Sequence, residues 1–278
     1  MSRSNLPNGI PADLRYAVQF SPDRYRTQLA SLATLYHEIR EIIHECRDPG
    51  VAETKLRWWE EEIELMLDGR ARHPCAQSFW AQHGKLNLAS KLFLDIIDST
   101  RQDIHSPSFP TFDNVRRYCK QRGGSFTVLA ASLCGADSLV TLAAARDLGS
   151  GWQLADIVTR SAMDARLGRV YFAAEDLQQH HLDQHVVEGV HSDTGLKALL
   201  SDYSLRARQL MDDALAAAPE MERDTLVTAS ILAALAQGRL RKLARRHFVT
   251  GAGTVELSPL SALLTAWKTA QRAVKITL

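Results

Sequence analysis

The sequence predicts an all-α, single-domain helical bundle, and three observations carry that prediction. Apolar residues recur at intervals of three and four along most of the 278 residues, and almost no stretch alternates with a period of two. The connections between the periodic segments are short and rich in turn-forming residues. No Gly/Ser linker, composition shift or fixed-period repeat divides the chain, so we expect one helical domain.

The individual helices follow from the apolar spacing in chain order. The pattern predicts helices over residues 24–45, 54–69, 86–104, 139–168, 196–217 and 223–248. Turn chemistry marks the boundaries at residues 47–50, 68–74, 105–112, 216–220 and 251–259. Because these connections are short, neighbouring helices are expected to pack against each other.

Two short stretches carry finer predictions. In KLRWWEEEI, residues 55–63, the paired tryptophans are expected to anchor the core while Glu60, Glu61 and Glu62 face water. In YCKQRGG, residues 118–124, the paired glycines Gly123 and Gly124 indicate either a helix break or a close approach of two backbones.

Charge and cysteine usage exclude several classes of protein. The chain has 33 basic and 32 acidic residues, so nothing in its overall charge favours binding to nucleic acid. Its four cysteines form no C-x-x-C pair, which argues against a zinc site and a disulfide framework and favours a reducing compartment. The longest apolar run, residues 226–236, is too short to span a bilayer, and the first residues contain no apolar leader. We therefore expect a cytoplasmic protein without a transmembrane segment, which leaves peripheral association with a membrane open.

Two rows of charged residues have helical spacing. Glu41 and Glu45 are four residues apart, so both lie on one helix face, where they either chelate a divalent ion or face water. Asp156, Arg160 and Asp164 repeat the spacing, and the central arginine is expected to bridge both carboxylates, so this face can neutralise itself without a metal. A diphosphate is normally held by magnesium bound to carboxylates, whereas an arginine holds phosphate directly.

A di-iron site is a weaker alternative. Glu41 with His44, and Glu188 with His191, each match the E-x-x-H pattern of di-iron helical bundles. The second match contains a glycine and lies between turn signals, so the pattern is disfavoured as a metal site.

Three stretches together resemble the squalene and phytoene synthases: residues 55–63, residues 118–124 and QLADIVTRSAMDARLGRVYF at 153–172. Their order and separation also match, so the resemblance runs from about residue 15 to about residue 275. It implies an isoprenoid-synthase-type helical bundle around a deep, apolar central cavity, with a helical domain over 15–278 after an N-terminal extension, 1–14. Enzymes of that family join two prenyl diphosphates, using magnesium held between two Asp-rich helices.

The resemblance also implies that the motifs for this chemistry are degenerate. The first Asp-rich motif corresponds to residues 40–45, where Arg40 and His44 replace carboxylates. The second corresponds to residues 156–164, where Arg160 stands in place of an aspartate, and Gln121 replaces a family tyrosine. No metal is expected; if one binds, the resemblance implies the ligands Glu41, Glu45, Asp156 and Asp164. The substrate-binding candidates that it implies are Tyr118, Gln153, Arg160, Arg169 and Tyr171.

These changes favour a catalytically inactive or divergent family member. It would act as a binding or assembly factor, holding an isoprenoid diphosphate or lipid in the cavity or contacting a protein partner, with no cofactor. The alternative is an active, magnesium-dependent transferase that joins prenyl diphosphates.

Overall fold

The structure, a computed structural model, describes residue 6 and residues 9–83, 90–105, 107–182, 194–250 and 253–274. Over these ranges the regular structure is helical, apart from one isolated β-bridge between Phe109 and Ala173. The prediction of an all-α bundle is confirmed. None of the helices in these ranges is long and apolar enough to cross a membrane.

The helices are α1 (Ala12–Phe20), α2 (Asp23–Glu45), α3 (Pro49–Leu67), α4 (Pro74–His83), α5 (Ser90–Ile104), α6 (Phe112–Cys119), α7 (Ser125–Leu133), α8 (Leu139–Arg166), α9 (Ala174–Gln179), α10 (Thr194–Ala217), α11 (Val227–Arg245) and α12 (Pro259–Val274). A π-helical segment, Lys120–Gly124, joins α6 to α7, and a 3-10 turn, Glu220–Glu222, precedes α11.

The longest of these helices, α8, lies at the centre of the bundle. It packs against α7, α10, α11 and the π-helical segment, and it is buried over most of its length. Ser138 caps its N-terminus by accepting a hydrogen bond from the Thr141 N–H. At its C-terminus Gly168 adopts φ of +71°, and the Arg169 N–H donates to the Asp164 carbonyl at 2.9 Å. This left-handed turn leads the chain from α8 directly into the segment that carries Arg169 and Tyr171.

The π-helical segment packs closely against α8. A Cβ atom on Gly123 would collide with the Gly149 carbonyl, and one on Gly149 would collide with the Gly123 carbonyl and with Thr127. The prediction of a close backbone approach is therefore confirmed. The chain does not break at the two glycines, because one π-helical turn connects α6 to α7.

Ile10 and Leu14 are buried, so part of the predicted extension, 1–14, packs with the bundle. The expectation that Glu62 faces water is wrong. Glu62 is fully buried because its carboxylate accepts hydrogen bonds from the backbone N–H groups of Arg72 and His73, at 2.6 and 2.7 Å.

Candidate functional site

Side chains from α2, α8 and the π-helical region line one small cavity in the bundle. Its volume is about 30 Å³, which is room for about two water molecules. Arginine and tyrosine side chains fill the space, so this cavity is not the deep apolar one that the resemblance implies. The predicted site residues that line it are Arg40, His44, Tyr118, Gln153, Asp156, Arg160, Asp164, Arg169 and Tyr171.

The charged row on α8 is internally paired, as its spacing predicts. The Arg160 guanidinium lies 4.0 Å from Asp156 and 3.8 Å from Asp164. Asp156 has a second cation, Arg239 of α11, at 3.1 Å, and Arg239 also pairs with Asp13 of α1 at 3.0 Å. Sequence reasoning missed Arg239 and Asp13, because neither is close in the chain to the row that it completes.

The two aspartates of this row differ in their ionisation. Burial opposes ionisation of Asp156, but Arg239 and Arg160 outweigh it, so the pKa of Asp156 lies below its ordinary value. At Asp164 burial outweighs the effect of Arg160, 3.8 Å away, and raises the pKa to about 6. Near neutral pH one carboxylate is therefore firmly ionised, while the other is close to taking up a proton.

A second network of charged and hydroxyl groups closes the inner wall of the cavity. The Asp103 carboxylate accepts hydrogen bonds from the hydroxyls of Tyr118 and Tyr171, each at 2.9 Å, and from the Arg122 guanidinium. All four side chains are buried, and burial raises the pKa of Tyr118 far above its ordinary value. Both tyrosines are thus neutral hydrogen-bond donors to one carboxylate. The sequence singled out these tyrosines but gave no signal for Asp103 or Arg122.

Three predicted site residues lie apart from the cavity lining. Glu41 lies 3.6 Å from His37 Nδ1, one turn earlier on α2, and Glu45 pairs with Lys55 of α3 at 3.1 Å. Gln121 accepts a hydrogen bond from Gln102 on the other side of the π-helical segment, at 3.2 Å. The structure therefore does not bring Glu41 and Glu45 together with Asp156 and Asp164.

The lining is rich in positive charge and in hydrogen-bond donors. Four arginines, Arg40, Arg122, Arg160 and Arg169, face two aspartates. In the part of the chain that the structure describes, the buried Nε atoms of Arg40 and Arg122 have no hydrogen-bond acceptor. Unpaired buried donors of this kind are costly, so a ligand that supplies acceptors would be stabilised here.

His44 contributes a titratable group to the same surroundings. Partial burial lowers its pKa, and the nearby cations Arg169, Arg160 and Arg40 lower it further against the opposing effect of Glu41. The imidazole is therefore neutral at pH 7, where it can donate or accept a hydrogen bond without adding to the charge.

The arrangement does not fit a magnesium site. Each of the four carboxylates that the sequence suggested as ligands already has a basic or imidazole partner. Within the described ranges no group of three or more His, Cys, Asp or Glu side chains is placed to hold a metal ion. The second half of the E-x-x-H pair, residues 188–191, lies outside the described residues.

Comparison with known sequences identifies similar proteins. The sequence model of the family described as Squalene/phytoene synthase matches residues 12–261. The 15-cis-phytoene synthase of Synechococcus elongatus is 26% identical over 182 residues, which are 60% of this chain and 59% of that protein. Phytoene synthase 2, chloroplastic, of Solanum lycopersicum is 23% identical over 201 residues, 70% of this chain and 64% of that protein. The chain thus matches less than two thirds of the length of either relative.

Comparison with solved structures shows the same fold. A dehydrosqualene synthase in complex with a ligand superposes with a TM-score of 0.82 at 17% identity, covering 95% of this chain and 92% of that one. A squalene synthase from Alicyclobacillus acidocaldarius superposes with a TM-score of 0.75 at 18% identity, covering 87% and 98%. At these identities the likeness shows the isoprenoid-synthase-type helical fold.

Proposed function

Because the chain belongs to the squalene/phytoene synthase family, we propose that it is a divergent member that binds a prenyl diphosphate through arginines. In this proposal it neither uses magnesium nor joins two prenyl units. Its role is that of a binding or assembly factor.

The observation that carries the proposal is Arg160 between Asp156 and Asp164, 4.0 and 3.8 Å from their carboxylates. An arginine in place of an aspartate changes the local charge by two units. Each unit acting over a few ångströms is worth about 4 kcal/mol at an effective dielectric near 20. A magnesium ion at this face would therefore lose one favourable charge interaction and gain one repulsion.

The same residues suit a phosphate group. An arginine donates two parallel hydrogen bonds to phosphate oxygens, and several arginines together replace the charge that magnesium would supply. Arg40 and Arg122 have Nε donors without acceptors, and Arg160 is partly exposed, with 28% of its side chain accessible. These features support direct contact between arginines and an anionic head group.

The size of the cavity limits what binds without rearrangement. A volume of about 30 Å³ is too small for a diphosphate, so Arg40 and Arg160 must change rotamer to admit one. Both side chains are incompletely buried, and such side-chain changes are common on binding. The isoprenoid tail would then need space beyond this cavity.

The second candidate function is magnesium-dependent coupling of two prenyl diphosphates. The names of the curated relatives favour it, since they are phytoene synthases. In that case Asp156 and Asp164 must leave their arginine partners to bind metal.

An assay of pyrophosphate release separates the two functions. Farnesyl and geranylgeranyl diphosphates are incubated with the protein and Mg²⁺, and released pyrophosphate is measured against a protein-free blank. We expect no release above the blank. Release that Asp164→Ala abolishes, but that the exposed control Asp213→Ala retains, would overturn the proposal in favour of the transferase.

A further inference from the structure

A groove separate from the candidate site lies between the end of α10, the chain that follows it, and helices α11 and α12. Its volume is about 420 Å³, against about 30 Å³ for the cavity at Arg160. Among the described residues the two have no lining residue in common. Sites for small molecules have volumes of about 300–1,000 Å³. The groove is therefore large enough for a small ligand as it stands.

The floor of the groove is apolar. Its apolar lining residues are Leu215, Ala216, Ala218, Leu226, Ala234 and Ala273. Ala234 belongs to α11 and Ala273 to α12, and because both side chains are small, the space between the two helices stays open. An apolar ligand in this space would remove its own surface and that of the floor from water.

Both charged side chains that line the groove are arginines, Arg223 and Arg272. Helices α11 and α12 contain no carboxylate. Arg223 pairs with Glu220 at 3.9 Å, but that carboxylate is 76% exposed, so the pair is weak. The nearby Asp212 of α10 accepts a hydrogen bond from the Gln237 amide at 2.6 Å. The described lining thus offers two guanidinium groups and no carboxylate, which favours an anionic ligand group.

We propose that this groove binds a small apolar molecule with one anionic head group, of the chemical class of medium-chain alkyl carboxylates. The alkyl chain lies along the floor of leucines and alanines, and the carboxylate accepts hydrogen bonds from Arg223 and Arg272. An apolar lining with a few converging polar groups is the usual construction of a small-molecule site. Binding here is independent of prenyl diphosphate recognition, because Arg160 and the other residues of the candidate site take no part in it.

Isothermal titration of decanoate into the full chain tests the proposal. Decanol, which has the alkyl chain without the charge, and acetate, which has the charge without the chain, are titrated for comparison. We expect saturable binding of one decanoate per chain. Decanol should bind at least about tenfold more weakly, because the arginines lose their charged acceptor, and acetate should show no saturable binding.

Matched variants assign the binding to this groove. Arg272→Gln should weaken decanoate binding about tenfold, whereas the exposed control Arg208→Gln on α10 should bind as the wild type does. Ala234→Leu fills the groove and should abolish binding, whereas Ala244→Leu, at an exposed position of the same helix, should not. Arg160→Ala should leave decanoate binding unchanged, which separates the groove from the candidate site.

Four results would overturn the proposal. The first is the absence of saturable decanoate binding. Equal affinity for decanoate and decanol, or for decanoate in wild type and Arg272→Gln, would show that the arginines do not select the ligand. Unchanged binding by Ala234→Leu would place the ligand elsewhere. Binding that appears only after deletion of residues 275–278 would assign the groove to the chain's own C-terminal segment.

Discussion

Arg160 occupies the middle of a row of three charged residues, and its two neighbours respond differently to it. Asp156 shares Arg160 with a second arginine, Arg239, and its pKa falls below the ordinary value. At Asp164 burial outweighs the effect of Arg160, so its pKa rises to about 6. The row thus contains both a firmly ionised carboxylate and a titratable one.

The raised pKa of Asp164 predicts a specific pH dependence of stability. The pKa is about 6 in the folded protein against 3.8 for a free aspartate, so between these values the folded state binds more protons than the unfolded state. The contribution of Asp164 is therefore most favourable below pH 3.8 and is lost as the pH rises through 6. The difference amounts to about 3 kcal/mol.

Urea denaturation of an Asp164→Asn variant between pH 4 and pH 7 measures this contribution. The free energy of unfolding of the variant, relative to that of the wild type, should increase by about 2 kcal/mol as the pH rises over that range. Asp213→Asn, at an exposed position, controls for the loss of a negative charge. A difference between Asp164→Asn and wild type that stays constant with pH would exclude the raised pKa.

At the residue scale, sequence reasoning found the rows but not their distant partners. The pairing within Asp156, Arg160 and Asp164 followed from i, i+4 spacing, which fixes neighbours on a helix. The partners Arg239 and Asp103 come from other helices, and only packing brings them to Asp156 and Arg122. Local periodicity contains no information about such contacts.

At the element scale, the close contact between the π-helical segment and α8 shapes the wall of the cavity. Gly123 and Gly149 permit this contact because neither has a Cβ atom. Next to the two glycines, the Thr127 hydroxyl donates a hydrogen bond to the Ala145 carbonyl of α8 at 2.7 Å. Tyr118 and Arg122 flank the same turn, so the glycines position both side chains at the cavity.

Replacing Gly123 by alanine should be strongly destabilising. The new Cβ would meet backbone atoms of Gly149, which have no rotamer to relieve the collision. We expect a loss of about 2–3 kcal/mol in the free energy of unfolding, measured by urea denaturation. Gly238→Ala is the matched control, because its Cβ meets only the flexible Leu257 side chain, and it should change stability by less than about 1 kcal/mol. Similar stabilities for the two variants would contradict the tight packing.

Long amphipathic helices were predictable, whereas short helices were not. The segments that became α2, α3, α5, α8, α10 and α11 each carry several turns of apolar spacing. Helices α4, α6 and α9 have ten residues or fewer, too few for a clear period. The sequence did not predict α12, because its small alanines face inward and its leucines face outward, which obscures the usual core-facing pattern.

At the scale of the whole molecule, the fold is that of the squalene/phytoene synthase family, whereas the cavity is lined mainly by positively charged side chains. The chain keeps the helical bundle of its family, with a TM-score of 0.82 to a dehydrosqualene synthase. The described cavity, however, is lined by four arginines and two paired aspartates. Binding of phosphate by arginines is consistent with both the helical bundle and the arginine-rich lining.

The most direct test of arginine-mediated binding is isothermal titration of farnesyl diphosphate into the full chain, once with Mg²⁺ and once with EDTA. Metal-independent binding predicts dissociation constants that agree within about twofold under the two conditions. It also predicts that Arg160→Ala weakens binding by about tenfold or more, because a charge-assisted contact to phosphate is lost. The control Arg208→Ala should bind as the wild type does. Binding that appears only with Mg²⁺, or that is unchanged in Arg160→Ala, would contradict arginine-mediated recognition, as would the absence of binding under both conditions.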